Sequence, residues 1–469
     1  MSILIKGGTV VTTTGADLAE VLIDGETITA VLQPGSSLAL AAEDSAQIID
    51  ATAKLVVPGG VDVHTHMELP VGDVVSSDDF ESGTRAAAWG GTTTIVDFAT
   101  QHADENVRKS LDDRLALAEN NCAIDYGLHM IIGGVNDDSL KEMDALVHEG
   151  ITSFKLFMAY PGRLYSDDGQ ILRAMQQAAG NGGLVMMHAE NGIAIDVLAE
   201  QAAERGETSP VTHGYVRRPE LESEATHRAI QLAKVGAAPL YIVHLSAKEA
   251  LEQVAIARGK GMNVFAETCP QYLYFTLEDH LGRPGFAGSA YVCSTPLRSK
   301  HEHHQDELWT GLRTNDLAVV STDHCPFCMK EQKELGVNDF RSIPNGIGGV
   351  EHRMDMIFQG VLQGEITLPR WVELCSTTPA RMMGMYPKKG VIQPGSDADI
   401  VLYDPDHTWT ISVDNHHMNL DHSAYEGIEI TGHVDTVLSR GQVLVHEGKY
   451  LGSPRHGRYL RRSTSQYLV

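Results

Sequence analysis

The stretch VDVHTHMELP, residues 61–70, places His64 and His66 one residue apart at the end of an apolar run. Such a pair on its own fits a core position as well as a functional one, because histidine is a residue of intermediate burial. Four more side chains of metal-ligand type end later apolar runs. They are Lys155 in SFKLFMAY, His188 in LVMMHAE, His244 in LYIVHLS and Asp323 in AVVSTDH. If the runs are strands, residues i and i+2 face one side, so His64 and His66 point together. Imidazole nitrogen with carboxylate-type oxygen suits zinc, with manganese or cobalt as further candidates. Lys155 is the odd member, since a lysine in an apolar strand is almost never fully buried unless paired. Either it pairs with Asp323 or another acid, or its amine has taken up CO₂. The resulting carbamate, N6-carboxylysine, offers two oxygens that bridge two cations. Four histidines, one carbamate and one aspartate then make a two-metal site with open positions.

These residues need a frame that brings distant runs together. Eight runs alternate with helix-like segments: VDVHTH, TTTIVDFAT, DYGLHMII, SFKLFMAY, LVMMHAE, LYIVHLS, NVFAETC and AVVSTDH. DSLKEMDALVHEG and KEALEQVAIARGKG carry helical periodicity, the latter ending in glycine. Continuous apolar character is what parallel strands buried on both faces require. The pattern predicts an α/β fold, a (β/α)₈ barrel of the TIM type, whose active sites lie at the C-terminal ends of the strands. Six ligand-type residues at that end of five strands make a core role for HxH improbable. Residues 1–57 read differently, as short Val-, Ile- and Thr-rich segments cut by glycine turns. That texture returns in GVIQPGSDADIVLYDP and VDTVLSRGQVLVHEGKYLG. We expect one small discontinuous β-sandwich from residues 1–57 and 386–469 (the latter ending in a tail), with the barrel spanning 58–385.

The chain has 469 residues and 36 basic against 62 acidic side chains, a formal charge of −26. That argues against nucleic acid or an anionic membrane surface as partner. The start MSILIKGGTVVTTTG has no long apolar segment and no stretch reaches membrane-span length, so a cytoplasmic protein is expected. Six cysteines are too sparse for a disulfide framework. CPFC, Cys325 to Cys328, has no second CxxC and is not read as a redox or zinc-ribbon motif. HEHH, His301 to His304, is expected on a solvated helical surface, and RMMGMY in the core. PNGIGG lacks the lysine of a phosphate-binding loop.

In order and combination, PGGVDVHTH, GGTTTIVDF, SFKLFMAY, HAEN, VHLS, TDHCPF, IPNGIGG and KKGVIQPGSDADIVLYDP resemble the D-hydantoinase and dihydropyrimidinase family of the amidohydrolase superfamily. The resemblance covers essentially the whole chain. It implies this barrel with a sandwich from both termini, a carboxylated lysine between two zinc ions, and a homotetramer. Matched by motif, His64, His66 and Asp323 hold one metal, His188 and His244 the other, and Lys155 both. Tyr160 is the donor to the substrate carbonyl. Ser294 in CSTPLR and Asn345 in IPNG bind the ring amide through backbone groups.

With those residues, a hydroxide bridging two cations attacks a ring amide of a small cyclic ureide. Metal coordination makes it available by lowering the pKa of water to roughly 7. Tyr160 stabilises the oxyanion, and Asp323 acts as base and then as acid. The product is an N-carbamoyl amino acid. Where related sequences often carry a phenylalanine and two glycines, this chain has VGD, so Leu69 and Val71 form a different lid over the 5-substituent. Arg163 and Leu164 lie in a second specificity loop. Glu68 stands where dihydroorotases place an arginine for the substrate carboxylate, and facing the pocket it would repel such a group. These features favour 5-monosubstituted hydantoins, and dihydrouracil, over allantoin and dihydroorotate. The alternatives are an allantoinase, a dihydroorotase, or a non-catalytic scaffold relative, although scaffold relatives lack the ligands that are all present here.

Overall fold

The computed structural model describes residues 2–467. All eight apolar runs become parallel strands in sequence order: Gly60–Thr65, Thr92–Gln101, Asp125–Ile132, Ser153–Phe157, Leu184–His188, Leu240–Ile242, Val264–Thr268 and Val319–Val320. A parallel bridge between Thr65 and His324 brings the last segment back to the first. Nearly every residue of these strands is buried, as expected when side chains fill the interior and helices cover the outside. One buried cluster joins Val61, Phe98, Met186 and Phe265 with Met382, Met383 and Met385, so RMMGMY packs into the barrel core.

Local sequence sets the helices that return the chain between strands. Asp137–His148 starts at Asn136, whose side chain accepts from the Asp138 and Ser139 N–H groups. Asp168–Asn181 has a capping box between Asp167 and Gln170, and it ends at Gly182 with φ +79°, a conformation glycine reaches without cost. KEALEQVAIARG forms Lys248–Gly259.

The terminal segments form two further sheets. A four-stranded sheet contains Thr27–Leu32, Glu20–Asp24, Ser2–Lys6 and Gln47–Asp50. A seven-stranded sheet joins both chain ends: Ile400–Thr410 pairs antiparallel with Leu55–Pro58 on one side and Glu429–Ser439 on the other. Beyond Tyr450 the chain leaves the sheets and lies along the barrel, where Leu460 N–H donates to Tyr126 O at 2.7 Å. The HEHH expectation needs correction at its last residue. His301 and His303 are exposed, but His304 is fully buried at the start of helix His304–Thr314. Its Nδ1 accepts the Lys248 N–H at 3.1 Å and its Nε2 meets Glu302 at 2.8 Å, a tie between neighbouring helices that the run of polar letters hides.

Candidate metal centre and substrate pocket

His64 lies within the first barrel strand and His66 one residue past it. Between Asp62 and Thr65 the pairing with the second strand slips register. A bulge of this kind bends a strand and re-aims its side chains. Both imidazoles pack on Phe98 with centroids at 4.8 Å. Their Nε2 atoms approach Asp323 Oδ1, at 3.3 Å for His64 and 3.2 Å for His66. Ligand atoms of these three residues all lie within 4.8 Å of one another, close enough to share a metal ion.

Lys155 sits mid-strand and is 1% exposed. Its Nζ lies 3.0 Å from His64 Nε2, over the rings of Phe98 and Phe157 at 4.6 and 5.1 Å. Among the described residues it forms no ion pair, so the paired-lysine alternative gives way to an amine facing an imidazole. Burial pushes its pKa down, against the pull of Asp323 and Glu267. Only the uncharged amine adds to CO₂, so this environment favours carbamate formation. His188 and His244 complete the group, with rings 4.6 Å apart and edge-on. His244 is 5.5 Å from His64.

The donor set fits a metal on three counts. Burial holds His64 and His244 well below the usual imidazole range, and lowers His188 too, which keeps the neutral form that binds cations. Among the described residues Nδ1 of His244 is buried without a protein partner, at a cost of about 1–3 kcal/mol for an orphaned polar atom. Carboxylates also stand behind the ligands, where they fix ring orientation. Glu267 takes His64 Nδ1, and also the Tyr241 hydroxyl at 2.8 Å. Glu190 takes His188 Nε2 at 2.7 Å and Arg217 at 2.8 Å. Burial opposes charge on Glu190, but Arg217 and His188 outweigh it and hold the carboxyl below its ordinary range. Sequence reading missed Glu267 and Glu190 as supports; their only signal was an acid inside NVFAETC and HAEN.

Backbone strain is present at the same place. Tyr160, His244 and Asp323 have φ of +62°, +38° and +49°, values that non-glycine residues adopt at a cost and that gather at functional sites. Tyr160 stands 5.3 Å from His188, ring to ring. Burial raises its pKa although Arg217 pulls the other way, so the phenol keeps its proton. The side chains of Ser294 and Asn345 also pull its pKa downward, and Asn345 Nδ2 donates to Ser294 Oγ at 2.9 Å. Among the described residues, the backbone N–H and C=O of Ser294 and of Asn345 take no protein partner.

These residues line a cavity of about 780 Å³, within the usual range for small-molecule sites. Leu69, Val71 and Leu164 are among its lining residues, beside the charged Asp73, Arg163, Glu200 and Arg341. Pro70–Val71 pairs antiparallel with Val74–Val75 through a turn at Gly72, φ +60°. Glu68 does not line the cavity. Its Oε2 instead accepts the Phe80 N–H at 3.4 Å, at the start of helix Phe80–Trp89, so a charge clash with a substrate carboxylate is not its role. Cys325 is buried and Cys328 partly so, both as free thiols.

An eight-stranded barrel with histidines, a buried lysine and an aspartate at its C-terminal rim defines the class of metal-centre hydrolases. Residues 55–444 match the amidohydrolase family. The D-hydantoinase of Streptomyces coelicolor is 60% identical over 99% of both chains. That of Geobacillus stearothermophilus is 45% identical, over 99% of this chain and 97% of its own. The crystal structure of dihydropyrimidinase from Brevibacillus agri superposes with a TM-score of 0.96 at 45% identity, covering 99% of each chain. This chain belongs to the amidohydrolase family.

Proposed function

We propose that this protein hydrolyses the ring of 5-monosubstituted hydantoins and of dihydropyrimidines, giving N-carbamoyl amino acids. The observation that carries this reading is the convergence of four imidazoles, Lys155 and Asp323 at one cavity that is also lined by Tyr160, Ser294 and Asn345 and by the apolar Leu69, Val71 and Leu164. His64, His66 and Asp323 would hold one divalent cation, His188 and His244 a second, and Lys155, as N6-carboxylysine, both. When bound, two such cations, zinc by the donor set, supply Lewis acidity and lower the pKa of water to about 7.

The chain's own groups do the rest. Backbone groups of Ser294 and Asn345, left without protein partners, hold the ring amide. The Tyr160 hydroxyl donates to the carbonyl oxygen as negative charge develops there. Asp323 takes the proton released by water and passes it to the leaving ring nitrogen, so the C–N bond breaks to a carboxylate and a ureido NH₂. Leu69, Val71 and Leu164 receive the 5-substituent. The D-hydantoinase names of the relatives support the D-enantiomer. The reading extends to a cytoplasmic homotetramer, with 58–385 as the catalytic barrel and 1–57 with 386–469 as the sandwich. No helix among the described residues is long and apolar enough to cross a membrane.

The test is a panel of cyclic ureides combined with elemental analysis. The reading expects two divalent ions per chain, activity abolished by chelation, and the highest kcat/KM on 5-monosubstituted hydantoins or dihydrouracil. Allantoin or dihydroorotate as best substrate would overturn the substrate, and full activity without metal would overturn the mechanism. Lys155→Ala should lose metal, and a short carboxylic acid should restore part of it.

A further inference from the structure

We infer that Lys333 is a positioning residue for substrate binding: its ammonium clamps the two loops that hold the ring amide. This rests on the assignment of Ser294 and Asn345 as the ring-amide contacts. Lys333 lies in a short helical turn, Lys333–Gly336, and is fully buried. Its three donors all go to backbone carbonyls: Val292 at 3.1 Å, Pro344 at 2.8 Å and Gly346 at 2.8 Å. Pro344 and Gly346 flank Asn345, and Val292 stands two residues before Ser294. The loops also bond each other, Gly346 N–H donating to Val292 O at 2.9 Å.

The remaining carbonyls of the Ser294 loop are occupied too. His213 Nε2 meets Cys293 O at 2.8 Å, and the Tyr272 hydroxyl donates to Thr295 O at 2.8 Å. Every carbonyl around Ser294 and Asn345 is therefore held by the protein, while those of the two residues themselves stay open. Among the described residues Lys333 makes no ion pair; burial pushes its amine downward, and the three carbonyls, one for each N–H, favour the ammonium form against that push. An ammonium placed there costs desolvation that an apolar side chain of equal length would avoid. What it supplies in return is three donors from one point charge, fanned onto two separate loops. Among the described residues no other side chain from outside the two loops bonds both, although Asn345 Nδ2 also reaches across to Ser294 Oγ.

Lys333→Met keeps the length and removes the donors. The clamp predicts KM for a 5-monosubstituted hydantoin raised by about tenfold or more, with kcat within about threefold and metal content unchanged. In the unliganded protein, amide exchange at Cys293, Ser294, Asn345 and Gly346 should quicken by about tenfold, while exchange around His64 and His188 holds. Lys333→Gln, which keeps two donors, should fall between, and it serves if the methionine variant does not fold. Unchanged exchange in those loops, or loss of metal together with kcat at constant KM, would overturn the clamp. If the wild-type protein opens no cyclic ureide, the proposed function fails, but the exchange measurement still decides whether Lys333 holds the loops.

Discussion

Burial acts on Tyr160 and Lys155 in opposite directions, each time against the charged form. It raises the phenol, which keeps its proton, and lowers the amine to about 8, which enlarges its neutral fraction. A neutral phenol is a hydrogen-bond donor, and a neutral amine is the form that takes up CO₂. Tyr160→Phe keeps the ring beside His188 and removes only the donor. It should lower kcat on the order of 10²-fold with little change in KM, the range found for one oxyanion donor; unchanged turnover would exclude the role. Glu68 carries the opposite expectation. Because it bonds a helix N-terminus and not the cavity, Glu68→Ala should leave the ratio of dihydroorotate to hydantoin kcat/KM unchanged. The melting midpoint should fall slightly, for a loss of under about 1 kcal/mol. Five of the six candidate ligands were legible because each is a polar letter at the end of an apolar run, and Lys155 because it is a lone charge inside one. Glu267 was not, since a carboxylate behind a ligand obeys no spacing, and it stands 203 residues from His64.

At the scale of elements, all eight strands could be read because a strand buried on both faces is a continuous apolar run. Their ends could not. The sixth and eighth strands stop at Ile242 and Val320, short of their runs, and the runs end at His244 and Asp323, whose positive φ departs from extended backbone. Sequence reading foresaw a lid at LPVGDVV but not that it is a hairpin, whose two strands are only two residues each. That hairpin brings Leu69 and Val71 into the lining of the cavity, where their apolar surface is available to a 5-substituent. Val71→Ala should therefore cost kcat/KM only for substrates with an apolar substituent. At about 0.8 kcal/mol per buried methylene the loss is up to roughly tenfold, with unsubstituted hydantoin unaffected. Equal losses on both substrates would place Val71 in general stability and not in selectivity.

Across the whole molecule, the barrel's two ends carry different work, and the third strand shows the division. Its first residue, Asp125, is buried opposite the catalytic rim and meets Lys389 Nζ at 2.6 Å. Lys389, 1% exposed, also holds Asp397 at 3.0 Å and Asp399 at 2.8 Å. Arg440, from the end of the long strand Glu429–Ser439, reaches both Asp125 and Glu26, each at 3.1 Å. The tail joins through Arg458, whose N–H donates to Asp125 at 2.8 Å. Barrel, terminal sheets and tail thus share one buried charge cluster. Nothing in the sequence reveals it, since Asp125 and Lys389 are 264 residues apart and KKGVIQPGSDAD reads only as a turn before a strand. Removing one partner of a buried ion cluster strands the others without counter-charge, at about 3–5 kcal/mol. Lys389→Met should accordingly lower the melting midpoint sharply, and Lys389→Met with Asp125→Asn should recover part of the loss. At 25 °C metal content and kcat should stay within about twofold of wild type, because stabilising positions at the N-terminal face of a barrel are separate from chemistry at the C-terminal face. A variant that melts like wild type, or that keeps its melting point but loses kcat, would break that separation.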